Sequence, residues 1–255
     1  MVAVALLATW AGGVVFALLW LAAALAIAHE WNAMAGTEPS RTLLLLTGSG
    51  LVALAAGQLA GTGPVVLLTI FGATVGSLAL AAATARSRLW STAGFAYAAI
   101  VALVPAAVRD EPALGLPAIL WMFAVVWTTD IAAYFAGRRL GGPKLWPSVS
   151  PKKTWSGFTG GLVGAILAGV AVAVLAARNG AHQSAGLAAV ALAAAVASIA
   201  SQLGDLAESA MKRRFGAKDS GRLIPGHGGV MDRLDGFVAV ALLVGLALAG
   251  TRLAR

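Results

Sequence analysis

The chain has 255 residues, of which 60% are hydrophobic and only 11% charged, with no cysteine and a formal net charge of +8. Soluble domains carry about 25% charged residues, so this sequence lacks the polar surface that water requires, and the bilayer is its solvent. The missing cysteines exclude disulfides, thiolate metal sites and cysteine nucleophiles.

A helix that crosses the hydrocarbon core needs about 20 mostly apolar residues. In chain order the runs that qualify are 2–28, 42–60, 64–83, 89–108, 115–137, 158–177, 186–210 and 237–253. They predict an all-α polytopic membrane protein with eight spans. Seven to nine are allowed, because Gly12-Gly13 can break the overlong first run into a full helix and a fragment. No Lys or Arg precedes Arg41, so the first run lacks the charged segment of a secretory signal and reads as a retained membrane helix. The expected organisation is one membrane domain over 1–255, with N-terminal helices in 1–114 and the chemistry in 115–255.

Charge placement orients the spans. With the 138–153 loop in the cytoplasm, alternation puts fourteen of the eighteen Lys and Arg residues on that side, leaving Arg109, Arg178, Arg252 and Arg255 outside. The positive charge is therefore topological and not that of a nucleic-acid binder. Two loops, 138–155 and 211–235, hold eleven of the fourteen together with most of the Pro, Gly and Ser outside the spans. They are too polar to be simple connectors.

Charged groups inside membrane helices are costly and default to function. Asp130 lies within an apolar run, about two turns before the first basic loop. It is either functional or paired with an arginine of that loop. In the seventh span Ser201, Asp205, Glu208 and Lys212 recur at spacings of four, three and four, which places them on one helix face. A charged helix end reaching the interface explains Lys212, Arg213 and Arg214 but not the deeper Asp205. The following segment holds Lys218, Asp219 and Arg222, then Gly226, Gly228 and Gly229 around His227, then Asp232 and Asp235. Glycines let backbone approach a phosphate closely, and carboxylates opposite Asp205 suit Mg²⁺, a hard cation that completes its shell with substrate phosphates. Lys152 and Lys153, ahead of a helix start, read equally as a triphosphate clamp or a topology anchor.

These motifs carry a resemblance. Lys212-Arg213, Lys218-Asp219-Ser220-Gly221, Pro225-Gly226-His227-Gly228-Gly229 and Asp232-Arg233-Leu234-Asp235 resemble the signature of the phosphatidate cytidylyltransferase family. Gly204-Asp205-Leu206 with Glu208-Ser209, the stretch 150–154, and Asp130 with Tyr134 match its other motifs in order. The match is specific over about residues 121–240, whereas the N-terminal spans match only as hydrophobic helices. Ser156 departs from it, since many members carry Glu or Gln there, so no side-chain role carries over.

The resemblance implies that CTP and phosphatidate react to CDP-diacylglycerol and pyrophosphate at the cytoplasmic face of a bacterial inner membrane. Phospholipid biosynthesis is the implied setting. It implies Mg²⁺, with room for a second cation, on Asp205, Asp232 and Asp235, with Asp130, Glu208 and Asp219 as further ligands. Lys152, Lys153, Lys212, Arg213, Lys218, Arg222, Ser201 and the three loop glycines are the implied phosphate contacts, and His227 a hydrogen-bond donor. The bilayer and a second copy of the chain, as a homodimer, complete the expected partners. A nucleotidyltransferase for another lipid phosphate shares this metal site. An ion-coupled transporter would show inverted repeats and broken helix pairs, which the sequence lacks.

Overall fold

The computed structural model describes residues 2–35, 41–112, 114–181, 185–224, 226 and 228–253. Among these are nine helices and one antiparallel hairpin: α1 (Val2–Ala11), α2 (Gly13–Ala35), α3 (Arg41–Leu59), α4 (Pro64–Ala81), α5 (Ala85–Arg109), α6 (Gly115–Leu140), β1 (Lys144–Trp146), β2 (Ser150–Thr154), α7 (Trp155–Arg178), α8 (Leu187–Arg214) and α9 (Met231–Leu253). Eight of them, α2 to α9, are long and apolar enough to cross a membrane, which bears out the all-α reading.

The first hydrophobic run does break at the glycine pair. Gly12 and Gly13 take φ of 65° and 50°, left-handed values that a Cβ would oppose. The fragment is the N-terminal piece: ten residues reach only about 15 Å, half the hydrocarbon core. The crossing helix starts at Gly13 and continues to Ala35, well past residue 28, so Glu30 lies inside it.

Two compact units form, Met1–Ala107 with Arg214–Leu234, and Val108–Arg213 with Asp235–Arg255. In the first, α2, α3 and α4 pack in sequence order. Close approaches occur where side chains are absent. Gly50 leaves no room for a Cβ beside Thr74 and Phe95, and Gly94 seats the Trp31 indole, whose Nε1 donates to Trp90 O at 2.8 Å.

In the second unit the closest helix pair is α6 with α7. Gly157, Gly161, Ala165 and Gly169, every fourth residue, are the buried face of α7. A Cβ on Gly157 would stand 2.9 Å from Ala133 O, and one on Gly161 2.9 Å from Thr129 O. Small residues at this spacing are how membrane helices gain van der Waals contact without a hydrophobic driving force.

Both units turn apolar side chains outward: Leu80 is 88% exposed and Leu192 67%. Meanwhile Glu30, Thr129, Ser198, Ser201 and Glu208 are buried. This inversion of the soluble pattern agrees with lipid as the solvent.

Candidate active site

A cavity of about 590 Å³ opens in the second unit, among α6, the hairpin, α7 and α8. That is the size range of small-molecule sites. Asp130, Tyr134, Arg138, Lys144, Lys152, Lys153, Thr154, Gln202 and Asp205 contribute to its lining. The loop expected over 138–155 is ordered: 138–140 complete α6, 144–154 form the hairpin and Trp155 begins α7. Lys144 pairs with Thr154 and Trp146 with Ser150, and Pro151 is tolerated because a two-stranded sheet has only edges.

Three hydroxyl and amide bonds fix the hairpin to its helices. Thr154 caps α7 by accepting from Gly157 N at 3.1 Å, a contact of a kind that contributes about 1 kcal/mol. The Ser156 hydroxyl donates to Gly141 O, at the end of α6. Its single proton is thus committed, so Thr154, 3.0 Å away, donates to Ser156. Ser156, the departure from the family pattern, is a strut between α6 and α7. Below it, Thr129, Ser198 and Gln202 form a buried polar chain, with Thr129 Oγ1 3.0 Å from Ser198 Oγ and Gln202 Nε2 donating to Phe158 O at 3.3 Å.

The charges converge. Lys153 Nζ lies 2.5 Å from Asp205 Oδ2, with the two side chains 27% and 33% exposed. Ser209 donates to Asp205 Oδ1 at 3.4 Å. Asp130, Asp205 and Asp235 repel one another electrostatically, and Lys153 offsets part of that repulsion. Asp235 accepts from Gly236 N at 2.7 Å. Lys212 pairs with Glu208 at 3.2 Å one turn further along α8. The side-by-side packing of α8 and α9 that this requires is set by two glycines. A Cβ on Gly204 would meet Asp235 O and Ala239 Cβ at 2.8 Å, and one on Gly236 would strike Ser201. Ser201 is buried in that contact and is not among the lining residues of the cavity.

Among the described residues, no three His, Asp or Glu side chains are placed to hold a metal ion by themselves. The chemistry of the donors nevertheless suits a hard cation, since the carboxylates of Asp130 and Asp205 both line the cavity. Magnesium is commonly held by one or two carboxylates, with substrate phosphates and water completing its shell. Asp232 is engaged differently. Its carboxylate accepts from Ser220 N at 3.0 Å and Gly229 N at 2.8 Å, and so organises the glycine-rich loop.

That loop belongs to the first unit. Lys218, Asp219, Arg222 and Gly226 are exposed, Gly229 is buried, and Ile224 N donates to Gly228 O at 3.0 Å. Arg213, in the last turn of α8, is exposed. His227 lies outside the described residues.

Several residues escaped the sequence reading as individuals. Arg138 donates to Tyr134 Oη at 2.7 Å and lines the cavity with Lys144 and Gln202; the four-residue spacing of Tyr134 and Arg138 was the available signal. Glu30 is 1% exposed and accepts from Val230 N, Met231 N and Ser220 Oγ. Its signal was a carboxylate directly after an apolar run.

The model of the cytidylyltransferase family matches residues 1–249. The phosphatidate cytidylyltransferase of Brucella suis is 46% identical over 237 residues, 92% of this chain and 85% of that protein. That of Brucella abortus is 45% identical over the same coverage. That of Staphylococcus saprophyticus is 45% identical over 134 residues, 52% of this chain and 50% of its own.

Proposed function

The chain belongs to the cytidylyltransferase family, and on that premise we propose that it is a phosphatidate cytidylyltransferase, converting CTP and phosphatidate to CDP-diacylglycerol and pyrophosphate. The observation that carries this reading is the cavity in which Asp130 and Asp205 stand with Lys152 and Lys153.

In the reaction a phosphatidate oxygen attacks the α-phosphorus of CTP. The bond from that phosphorus to the bridging oxygen breaks, and pyrophosphate leaves with the electron pair. A phosphate monoester is already nucleophilic at neutral pH, so the protein needs no general base. Both reactants are anions, and catalysis consists of holding them in line and offsetting their charge. Lys152, Lys153, Lys144 and Arg138 supply positive charge around the cavity. Lys218 and Arg222, exposed on the first unit, are read from the sequence as further phosphate contacts. Lys153, held by Asp205, is fixed before substrate arrives.

The family implies a divalent cation, and we read it as Mg²⁺, held by Asp205 and Asp235 with Asp130 nearby. When bound, the ion neutralises charge on the α-phosphate and the leaving group. The eight apolar helices make this an integral membrane protein. Its bacterial relatives suggest the inner membrane, and the loop charges favour a cytoplasmic site.

Purified protein is tested by pyrophosphate release with CTP, UTP, ATP and GTP, each with and without phosphatidate and divalent cation. Release confined to CTP, phosphatidate and cation together is expected. Equal release without lipid phosphate, or none with any nucleotide, overturns the assignment. A preference for an isoprenoid phosphate over phosphatidate selects the related nucleotidyltransferase instead.

A further inference from the structure

We propose that Glu30, a buried carboxylate of α2, is a positioning residue that holds the glycine-rich loop between α8 and α9 in its active shape. The proposal rests on the reading above for the loop's role as a carrier of phosphate contacts. The N-terminal helices would then do more than anchor the chain in lipid.

The geometry is specific. Glu30 Oε1 accepts from Val230 N at 2.8 Å, and Oε2 accepts from Met231 N at 2.9 Å and from the Ser220 hydroxyl at 3.3 Å. The two amides begin α9, where the helix dipole presents its positive end. Only a carboxylate offers two acceptor oxygens and no donor to such a set. The loop is shaped to receive it. A Cβ on Gly221 would stand 2.7 Å from Glu30 Cγ and Oε1, and one on Gly229 would stand 2.6 Å from Oε2 and collide with Ser220. Asp232 closes the same turn from the other side, through Ser220 N and Gly229 N.

The start of the loop is clamped as well. Phe215 packs edge-on against Trp90 at 4.8 Å, Arg86 lies 5.9 Å over Phe215, and Arg214 lies 5.7 Å over Trp90. Trp31, next to Glu30 in the chain, holds Trp90 by its indole N–H. Adjacent residues of α2 therefore act on both ends of the loop, Glu30 directly and Trp31 through Trp90. A purely structural role is a poor explanation, because a buried charge is seldom the cheapest way to join two segments.

The test uses the full-length chain with Leu223→Cys as reporter, since Leu223 is a half-exposed loop residue and the protein has no cysteine of its own. Glu30→Gln keeps the size but replaces one acceptor oxygen with a donor aimed at N–H groups. The expected result is a roughly tenfold fall in kcat/KM for CTP, with KM rising severalfold, and severalfold faster thiol labelling at position 223. Glu30→Asp should recover part of both. Simple destabilisation lowers the active fraction and leaves KM and native-state labelling at parental values; that outcome, or a Glu30→Gln enzyme indistinguishable from the parent, overturns the proposal. Should Glu30→Gln not fold, Ser220→Ala and Gly221→Ala disturb the same seat with Glu30 retained. The same shifts are expected of them, and parental behaviour in both is equally fatal. Labelling needs no substrate, so it decides the role of Glu30 even if CTP proves not to be turned over.

Discussion

Asp205 and Lys153 offer the sharpest separation of catalysis from architecture. Two unit charges about 4 Å apart attract by about 4 kcal/mol at an effective dielectric constant of 20. Here the side chains remain 27% and 33% exposed, so screening and desolvation leave a net coupling of about 1 kcal/mol. Replacing Asp205 by Asn therefore costs little stability. Turnover should fall about a hundredfold, or about 2.7 kcal/mol in the barrier, because the carboxylate is assigned to the cation. The double variant Asp205→Asn with Lys153→Met decides between the roles. If the pair were only structural, removing both charges would leave none uncompensated, and activity would return. We expect no recovery, while thermal unfolding in detergent shows the double variant at least as stable as either single one. The assay is pyrophosphate release at saturating CTP, phosphatidate and Mg²⁺, with Asp110→Asn, an exposed residue between α5 and α6, as a control that stays near parental. Near-parental turnover in a folded Asp205→Asn enzyme, or rescue in the double variant, refutes the catalytic assignment.

Four further outcomes follow. Gly204→Val forces a Cβ into the 2.8 Å gap with Asp235 O and Ala239; melting curves should show a loss of about 1–3 kcal/mol, and turnover should drop further as Asp205 and Asp235 separate. Ser156→Ala removes the donor to Gly141 O and should cost about 1 kcal/mol of stability, with activity lowered severalfold. Chelation should abolish pyrophosphate release, and Mg²⁺ should restore it better than Ca²⁺, whose longer oxygen bonds suit larger and more flexible shells; activity in metal-free buffer counts against the cation. Single cysteines at the exposed Ser148 and at Leu223 should resist an impermeant reagent in intact cells and react after lysis, and labelling of both from outside reverses the topology.

What the sequence disclosed divides by physical cause. The spans were legible because twenty apolar residues average out local ambiguity, whereas their ends were not. A helix can carry charged residues into the interface, as α6 does with Arg138 and Arg139 and α8 does down to Arg214. Ending the first span at residue 28 is what hid Glu30, although the argument that singled out Asp130 applies to it equally. The hairpin was invisible because strands of three and five residues, one with a proline, have no period to detect. Within the candidate site, Asp205 was legible as a charge deep in an apolar run and Lys153 as one of two lysines ahead of a helix start, but their pairing joins two separate elements and has no local trace. The separation between such elements is set instead by small residues. Gly157 and Gly161 bring α7 onto α6, and Gly204 and Gly236 bring α8 onto α9. Neither set of glycines carries any chemistry of its own. An added methyl group at one of these positions would stand under 3.0 Å from the facing helix, so that helix, with the carboxylate it carries, would have to shift. The geometry of this acidic site is therefore specified as much by where side chains are missing as by where charges stand.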